Sequence, residues 1–345
     1  MKNCWLSIVI PAHNCENTIE RLLNSIIDQN DSNIEIIISD DQSIDNTKEI
    51  INIYKDKLNI KYYMTKPRDI HCPSNTRLDG WKHATGDWLC FIDDDDMFEP
   101  DILHIIKKEI EELDINLYPI ILSSFRDYNY ETNSYNLTFD GGTWLHGKFY
   151  NRKWLIDNNI DFEENLYTNE DLHFNGLVFA ILSAQNKNFK KIDLCTYKWT
   201  YNPNSFTRSF DSSKHSLLET YFNDYCHAAI DPWLEVIDKY PNCKNTIFEH
   251  CCMMIMYMYF YIQSFKFTKK ENYIKENEYL VKRYIEKILD KCNKTVEDII
   301  ALVYSDSDFY NEIKKDAEIG SSKFIEIESF YTYITNLNIL KMKNC

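Results

Sequence analysis

Short apolar runs alternate with amphipathic segments through the opening part of the chain. Four apolar runs are bounded by polar or turn residues, which is typical of buried strands: Leu6–Ile10, Ile34–Ile38, Ile60–Met64 and Trp88–Ile92. Three segments between them carry apolar residues at helical spacing: Asn17–Asp28, Asp45–Lys55 and Ser74–Ala84, with Ser74 as an N-cap. This βαβαβαβ order predicts an α/β fold, a Rossmann-like, mostly parallel sheet flanked by helices.

The pattern is less regular beyond Pro100. It predicts two further helices, Pro100–Leu113 and Leu172–Leu182, and two further strands, Pro119–Phe125 and Ile192–Trp199. Two less regular segments remain: a polar hairpin or loop over Tyr128–Phe139, and an amphipathic stretch over Trp144–Asn158 that becomes helical towards its end.

From about Asp211 the pattern is helical and shows no strand alternation. We therefore predict two domains, an α/β domain over residues 1–210 and a C-terminal helical domain over residues 211–345. Cys251–Phe265 carries no charge, but it is shorter than the ~20 apolar residues that a membrane helix needs. We expect a buried helix there and no transmembrane segment.

The net charge, the chain start and the cysteines limit the kinds of partner and compartment that fit this chain. The net charge of -16 repels phosphate backbones and anionic lipid, which argues against nucleic acid as a partner. The chain start shows no signal-peptide pattern, and eleven cysteines without CxxC spacing favour reduced thiols. These features predict a cytoplasmic protein, either free or peripheral to the membrane.

The apolar run Trp88–Ile92 stops at four consecutive aspartates, Asp93–Asp96. Adjacent carboxylates repel one another, and a helix N-terminus accounts for only one of them. Mg²⁺ and Mn²⁺ take oxygen ligands together with substrate phosphates. Ligands of open α/β sheets bind at the carboxyl ends of the strands, so we predict a metal–phosphate site at these aspartates. The chain has neither GxGxxG nor GxxxxGK[ST], which argues against a dehydrogenase or a P-loop NTPase.

Six segments resemble one known family in order and spacing. They are Ser7–Asn14, Ile38–Thr47, Asn75–Asp96, Leu145–Leu155, Asn169–Asp171 and Asn202–Arg208. Together they resemble the family 2 inverting glycosyltransferases of the GT-A fold, over roughly residues 5–210. The resemblance implies a nucleotide-diphosphate-sugar donor, most simply a UDP-sugar, a divalent Mn²⁺ or Mg²⁺ ion, and no covalent enzyme intermediate.

The resemblance also implies roles around the nucleotide. Pro11 and His13 take the position where the first strand ends against the base, and Asp41 would accept from the base N3–H. Arg77 takes the position of an arginine beside the base and the diphosphate. Arg208 stands where a late basic residue closes over the diphosphate.

The reacting end of the donor is assigned in the same way. Asp93 and Asp95 form the DxD motif, with Asp95 as the direct metal ligand and Asp93 or Asp94 nearer the ribose and the sugar. Asp171 stands at the general base. The chain departs from the family pattern at three positions: His13 replaces a usual Tyr, Gln42 a usual Gly, and Leu78 a usual Asn.

Two sets of side chains have competing interpretations. For the histidines, the alternatives are a third metal ligand or a structural hydrogen bond; they are His146, His173 and His215. Stacking on a sugar or packing in the core are the alternatives for Trp144, Trp154 and Trp199.

The leading functional hypothesis is a metal-dependent, inverting transferase that moves a sugar from a UDP-sugar to a hydroxyl of a glycan acceptor, such as a surface polysaccharide or teichoic acid. The helical domain would then bind the acceptor or form a homo-oligomer. Alternatives are a transferase that modifies a protein or nucleobase, a nucleotidyltransferase, and an inactive scaffold of the same fold. A nucleotidyltransferase would carry a Gly-rich basic loop after the first strand, and the chain has none there.

Overall fold

A computed structural model of the chain describes residues 4–68, 72–129, 134–139, 142–200, 215–264, 271–305 and 327–336. The chain divides into two compact units, residues 1–215 and 216–345. The described part of the first unit forms a nine-stranded mixed sheet, in the order β3-β2-β1-β4-β8-β6-β9-β5, with β7 paired to β6.

Four parallel strands form one half of this sheet. They are β1 (Leu6–Ala12), β2 (Ile34–Asp40), β3 (Ile60–Met64) and β4 (Trp88–Phe91). Every residue of β2 and β4 is buried, because helices cover both faces of a parallel strand. The crossover helices are α1 (Ile19–Ile27), α2 (Thr47–Tyr54) and α3 (Pro73–Trp81). The predicted α/β architecture with flanking helices is confirmed, and the strands of this half of the sheet are parallel.

The start of α3 differs from the sequence prediction. The prediction of Ser74 as the N-cap is wrong, since the helix begins at Pro73 and Cys72 is the cap residue. Proline suits the first helical position because its missing N–H would have had no partner there. The Ser74 hydroxyl instead donates to the main-chain carbonyl of Glu163.

The other half of the sheet is mixed. Its strands are β5 (Met97–Phe98), β6 (Ile120–Asn129), β7 (Ser134–Thr138), β8 (Lys148–Asn151) and β9 (Phe189–Trp199), and its helices are α4 (Ile102–Glu111), α5 (Arg152–Asn158) and α6 (Glu170–Ala184). Strand β8 runs antiparallel to β4 and β6, and β9 runs parallel to β6. Strands β4, β6 and β9 therefore end at the same edge of the sheet.

Strand β8 was missed by the sequence prediction, which placed only an amphipathic, partly helical segment at Trp144–Asn158. The strand is short and wholly buried, and it ends where α5 begins. The Asn151 side chain caps α5 by accepting from the Trp154 N–H at 2.8 Å. Of the two alternatives predicted for Tyr128–Phe139, a hairpin or a loop, the antiparallel pairing of β6 with β7 agrees with the hairpin.

Glu35 of β2 is a buried carboxylate that joins several elements. It accepts hydrogen bonds from the Ser7 hydroxyl at 2.5 Å, the Lys61 ammonium at 2.6 Å, and the main-chain N–H groups of Thr85 and Gly86 at 2.5 and 3.1 Å. Burial alone would raise the pKa of Glu35, but these donors outweigh it and lower the pKa to about 2.

The described part of the second unit is helical, which confirms the predicted C-terminal helical region. Its helices are α7 (His215–Lys239), α8 (Lys244–Ser264), α9 (Glu271–Cys292), α10 (Val296–Ser305) and α11 (Ile327–Asn336), with a 3₁₀ turn at Pro241–Cys243. Helix α8 buries Cys251, Cys252, Ile255 and Met256, as expected of its uncharged stretch. Across the described segments, the helices lack the combination of length and apolar character needed to cross a bilayer.

Candidate active site

The ends of β1 and β2 are tied together where the sequence predicts the nucleotide. The His13 Nδ1 lies 2.6 Å from the main-chain carbonyl oxygen of Asp41. Because a carbonyl only accepts, Nδ1 carries the proton in this bond. The His13 Nε2 then accepts from the Asn14 amide at 2.9 Å, and Pro11 lies within β1 just before this pair. The structure therefore brings together three of the residues that were predicted to hold the base.

Asp41 itself is buried. Its Oδ1 accepts from the Thr65 hydroxyl at 3.0 Å. The next residue, Gln42, has a φ of 62°, a left-handed conformation that favours glycine. The Gln42 amide donates to the Thr65 carbonyl. A glutamine thus keeps the backbone conformation that the usual glycine of the family would allow.

The four aspartates after β4 have four different surroundings. Asp93 pairs with Arg77 at 2.5 Å. Asp94 accepts from the main-chain N–H of His13 and from the Cys15 thiol. The main-chain carbonyl of Asp95 accepts from the Arg21 guanidinium.

The fourth aspartate, Asp96, is wholly buried. It accepts from the Tyr197 hydroxyl, and from the Thr200 N–H at 2.7 Å. Asp96 therefore anchors the end of β9 to the aspartate run, and its side chain is held inside the protein.

Burial and neighbouring charges shift the pKa values of three of these carboxyls. Burial and the charge of Asp95 raise the pKa of Asp94 to about 8. The same two effects raise the pKa of Asp96 well above its ordinary value. Burial would also raise the pKa of Asp93, but the Arg77 charge outweighs it and lowers that pKa. Such crowding of carboxyls is the expected environment of a cation or of a catalytic acid–base group.

Arg77 joins the aspartate run to the start of α6. Its guanidinium is buried, and it pairs with Asp93 through Nη2 and with Glu170 through Nη1. The two acidic neighbours raise the pKa of Arg77 despite its burial. The Nε of Arg77 is also buried and has no hydrogen-bond partner among the described residues. An unpartnered buried N–H is costly, so this donor suits an oxygen of a bound ligand.

Asp171, the predicted general base, follows Glu170 in the first turn of α6. Its Oδ1 accepts from the Leu172 N–H at 2.7 Å. Burial and the neighbouring Glu170 charge raise the pKa of Asp171 to about 7, and Arg77 and Asp93 both act on it electrostatically. A carboxylate with a pKa near neutrality is well matched to general base catalysis.

Three potential metal ligands come together at the same edge. One ligand atom from each of Asp93, Asp96 and His146 lies within 4.8 Å of the others. Two carboxylates supply hard oxygen donors suited to Mg²⁺ or Mn²⁺, and the imidazole adds a borderline nitrogen. The donor chemistry therefore fits a divalent cation. This cluster pairs Asp93 with Asp96 and His146 rather than with Asp95, so the role of Asp95 as a direct ligand stays a prediction.

Gly147 fixes the position of His146. It has a φ of +67°, and a Cβ there would lie 2.7 Å from the carbonyl oxygen of Ser123. Only glycine fits this turn without displacing the main chain. The His146 ring stacks on Tyr197 with centroids 4.6 Å apart, and the Tyr197 hydroxyl in turn binds Asp96.

The remaining predicted site residues are not part of this cluster. His173 is buried on α6, and Arg208 lies outside the described residues, as does the side chain of His215. Sequence reasoning missed Glu170 as a partner of the site, and it included Asp96 in the predicted metal–phosphate site without giving it a role of its own. Glu170 could have been suspected from its place beside Asp171, whereas nothing in the sequence pairs it with Arg77.

The chain is similar in sequence to known proteins. The family model described as Glycosyl transferase family 2 matches residues 7–183. The poly(ribitol-phosphate) beta-N-acetylglucosaminyltransferase TarS of Staphylococcus aureus is 28% identical over 179 residues, which are 49% of this chain and 31% of that protein. The GalNAc(5)-diNAcBac-PP-undecaprenol beta-1,3-glucosyltransferase of Campylobacter jejuni is 32% identical over 108 residues, 31% of this chain and 35% of that protein.

A solved structure shares the fold. Residues 1–349 of S. aureus TarS, in complex with UDP-GlcNAc, superpose with a TM-score of 0.65 at 19% identity, covering 93% of this chain and 94% of that one. The chain spans about a third of the length of the curated relatives it matches first. The family predicted from the six segments is confirmed: with half of its length matched by the family model, this chain belongs to glycosyl transferase family 2.

Proposed function

We propose that this chain is a metal-dependent, inverting glycosyltransferase that moves a sugar from a UDP-sugar to a hydroxyl group of a glycan acceptor. One observation carries the proposal. Arg77 binds both Asp93 and Glu170, which fixes the acidic end of β4 beside the first turn of α6. Asp171, with a pKa of about 7, stands in that turn.

The donor would bind across the ends of β1, β2 and β4. The bonded pair of His13 and Asp41 borders the base, with Pro11 beneath it. The buried Nε of Arg77 would donate to an oxygen of the diphosphate or ribose. The same fold in S. aureus TarS holds UDP-GlcNAc, which supports a UDP-sugar here. Arg208 is proposed to close over the diphosphate, as its place in the sequence suggests.

The reaction exchanges one bond to the anomeric carbon for another. The acceptor oxygen forms a bond to that carbon while the bond to the diphosphate breaks, and UDP leaves with the electron pair. Asp171 takes the proton of the acceptor hydroxyl. Attack from the face opposite the leaving group inverts the configuration, and a single carboxylate base on that face is sufficient for it.

The aspartates would hold the cation. We assign Asp93 and Asp95 to it, with Asp94 nearer the ribose and His146 within reach of Asp93. When bound, a divalent cation supplies Lewis-acid stabilisation of the charge that grows on the leaving diphosphate. The carboxylates of this run then have a positive partner that offsets their mutual repulsion.

The names of two relatives support a glycan acceptor. One acts on a poly(ribitol-phosphate) and another on an undecaprenol-linked glycan, according to their names. We propose a comparable surface glycan or teichoic-acid-like polymer here. The helical domain, residues 211–345, would contact this acceptor or join two copies of the chain.

A binding and turnover screen tests the proposal. Purified protein with Mn²⁺ or Mg²⁺ is tested against UDP-, GDP-, CDP- and dTDP-sugars, with Asp95→Ala and Asp171→Asn alongside. We expect metal-dependent binding of a UDP-sugar that is lost in Asp95→Ala. Asp171→Asn should keep binding while turnover falls by about 10²–10⁴-fold. NMR of the product reports whether the anomeric configuration inverts.

Asp157→Asn is the matched control, because Asp157 pairs with Lys153 on the exposed surface of α5. This variant should behave as the wild type. Failure of the wild type to bind any nucleotide sugar with metal present would refute the transferase and leave a binding scaffold. Release of pyrophosphate from a nucleoside triphosphate would instead identify a nucleotidyltransferase.

A further inference from the structure

Trp144 is an exposed indole on a firmly held main chain. The residue is 42% exposed, yet its carbonyl accepts from the Asn175 amide at 3.0 Å and from the Lys148 ammonium. Asn175 also donates to the Thr143 carbonyl at 2.8 Å. Asn175 and Lys148 are almost wholly buried, and burying such groups is costly unless they are bound. The fold thus uses two buried polar side chains to fix the position of one exposed ring.

The Trp144 ring continues an aromatic series that begins at the aspartate run. It packs against Phe125 of β6 with centroids 5.7 Å apart and planes at 84°, and against His146 at 6.1 Å. The His146 ring stacks on Tyr197, whose hydroxyl binds Asp96. The ring of His146 therefore lies between Trp144 and the carboxylates of Asp93 and Asp96 along this series of contacts.

The order of strands in the sheet separates a nucleotide side of the site from an acceptor side. Strand β4, which carries the aspartates, lies between the nucleotide-binding strands β1 and β2 on one side and β8, β6 and β9 on the other. Trp144 lies on the second side, just before β8. In a group transfer the acceptor approaches from the side of the reacting carbon opposite the leaving group. The second side is therefore where an acceptor would lie.

The three candidate tryptophans differ in their surroundings. Trp154 is 8% exposed, and its Nε1 donates to Gln185 at 3.1 Å, so it is a core residue. Trp199 is half-buried at the end of β9, 6.1 Å from His146. Trp144 is the most exposed of the three.

We infer that Trp144 is the platform on which a pyranose ring of the acceptor lies, an inference that rests on the proposed transferase function. The apolar C–H face of a pyranose covers an indole, and its hydroxyl groups remain free for polar partners. Helix α6 connects this platform to the reaction. It begins with Glu170 and Asp171 and also carries Asn175, so the proposed base and the platform are fixed to one helix.

Acceptor binding and donor binding are measured separately to test this inference. Wild type, Trp144→Ala and Trp144→Phe are probed on a glycan array with UDP and Mn²⁺ present, and UDP affinity is measured by calorimetry. Transfer to the best array glycan gives KM and kcat. We expect Trp144→Ala to lower glycan affinity and to raise the acceptor KM, each by about tenfold or more, while kcat changes less. Trp144→Phe should recover part of the loss, since a ring remains, and UDP affinity should stay within about threefold.

Ile156→Ala is the matched control. Ile156 is an exposed apolar residue of α5, 48% exposed, and α5 begins beside Asp87 at the opposite end of β4 from the aspartates. This variant should bind glycans and UDP as the wild type does. Wild-type glycan affinity in Trp144→Ala, or no glycan bound by the wild type, would overturn the platform. Glycan binding without any donor turnover would leave the platform standing and refute the transferase.

Discussion

Replacing Glu35 by glutamine removes a buried charge from the sheet and measures how much that charge contributes to stability. The carboxylate is 1% exposed and accepts from Ser7, Lys61, Thr85 and Gly86. The pKa of Glu35 falls from 4.5 to about 2 in the folded chain. Each pKa unit is worth about 1.4 kcal/mol, so the ionised form contributes about 3 kcal/mol to the free energy of unfolding at pH 7. Glu35→Gln should lose most of that amount.

The sign of the pH dependence follows from the lowered pKa. The contribution is complete above the unfolded pKa of about 4.5, and it disappears as pH falls towards 2. The gap in stability between wild type and Glu35→Gln should therefore shrink from about 3 kcal/mol at pH 7 to about 1 kcal/mol at pH 3.

Urea unfolding followed by tryptophan fluorescence measures this gap in the first unit, since every tryptophan except Trp233 lies in residues 1–215. Glu111→Gln, at an exposed position of α4, controls for the loss of one surface charge and should change stability by less than about 0.5 kcal/mol. A gap for Glu35→Gln that is the same at pH 7 and pH 3 would refute the reasoning.

Three further predictions concern the site. Turnover should fall as pH drops through about 7, because Asp171 with a pKa of about 7 must be ionised to accept a proton. If the pH–rate profile of Asp171→Asn keeps the same fall at low pH, Asp171 is not the base. Arg77→Met should cost about 2–3 kcal/mol in urea unfolding, less than the loss of one partner of a fully buried pair, since it leaves the mostly buried Glu170 and the partly exposed Asp93 without their cation; a cost below about 1 kcal/mol would show that water already reaches both carboxylates. Gln42→Gly should be more stable than Gln42→Ala by about 1 kcal/mol in the same assay, because both lose the amide bond to Thr65 while only glycine relieves the φ of 62°; equal stabilities would mean that the turn relaxes.

The parallel half of the sheet was predictable for a physical reason. Strands covered on both faces are nearly continuous apolar runs; Trp88–Ile92 displays this plainly in the sequence, and Ile34–Ile38 departs from it only at Glu35. The mixed half was harder to predict. Strand β8 is a short strand, Lys148–Asn151, whose partners β4 and β6 are distant in sequence, so periodicity alone does not reveal it.

The candidate site likewise has residues that the sequence predicts and contacts that it does not reveal. Asp93 and Asp171 were predicted because each sits in a local motif with a family resemblance. The ion pair between Arg77 and Glu170 joins positions 93 residues apart, and only the tertiary fold shows it. Asp96 was predicted to belong to the aspartate run, but no individual role was assigned to it. Its bonds to Tyr197 and Thr200 depend on β9, and these contacts give it a different environment from Asp93.

The way the 143–144 segment is held has a consequence for changing acceptor preference. Asn175 and Lys148 bind main-chain carbonyls there, and those carbonyls are present whatever side chain the residues carry. Substitutions of Thr143 or Trp144 therefore keep the two hydrogen bonds from Asn175 that hold the segment to α6. Natural divergence, or a designed library, can vary the surface offered to the acceptor while Asp171 stays in place.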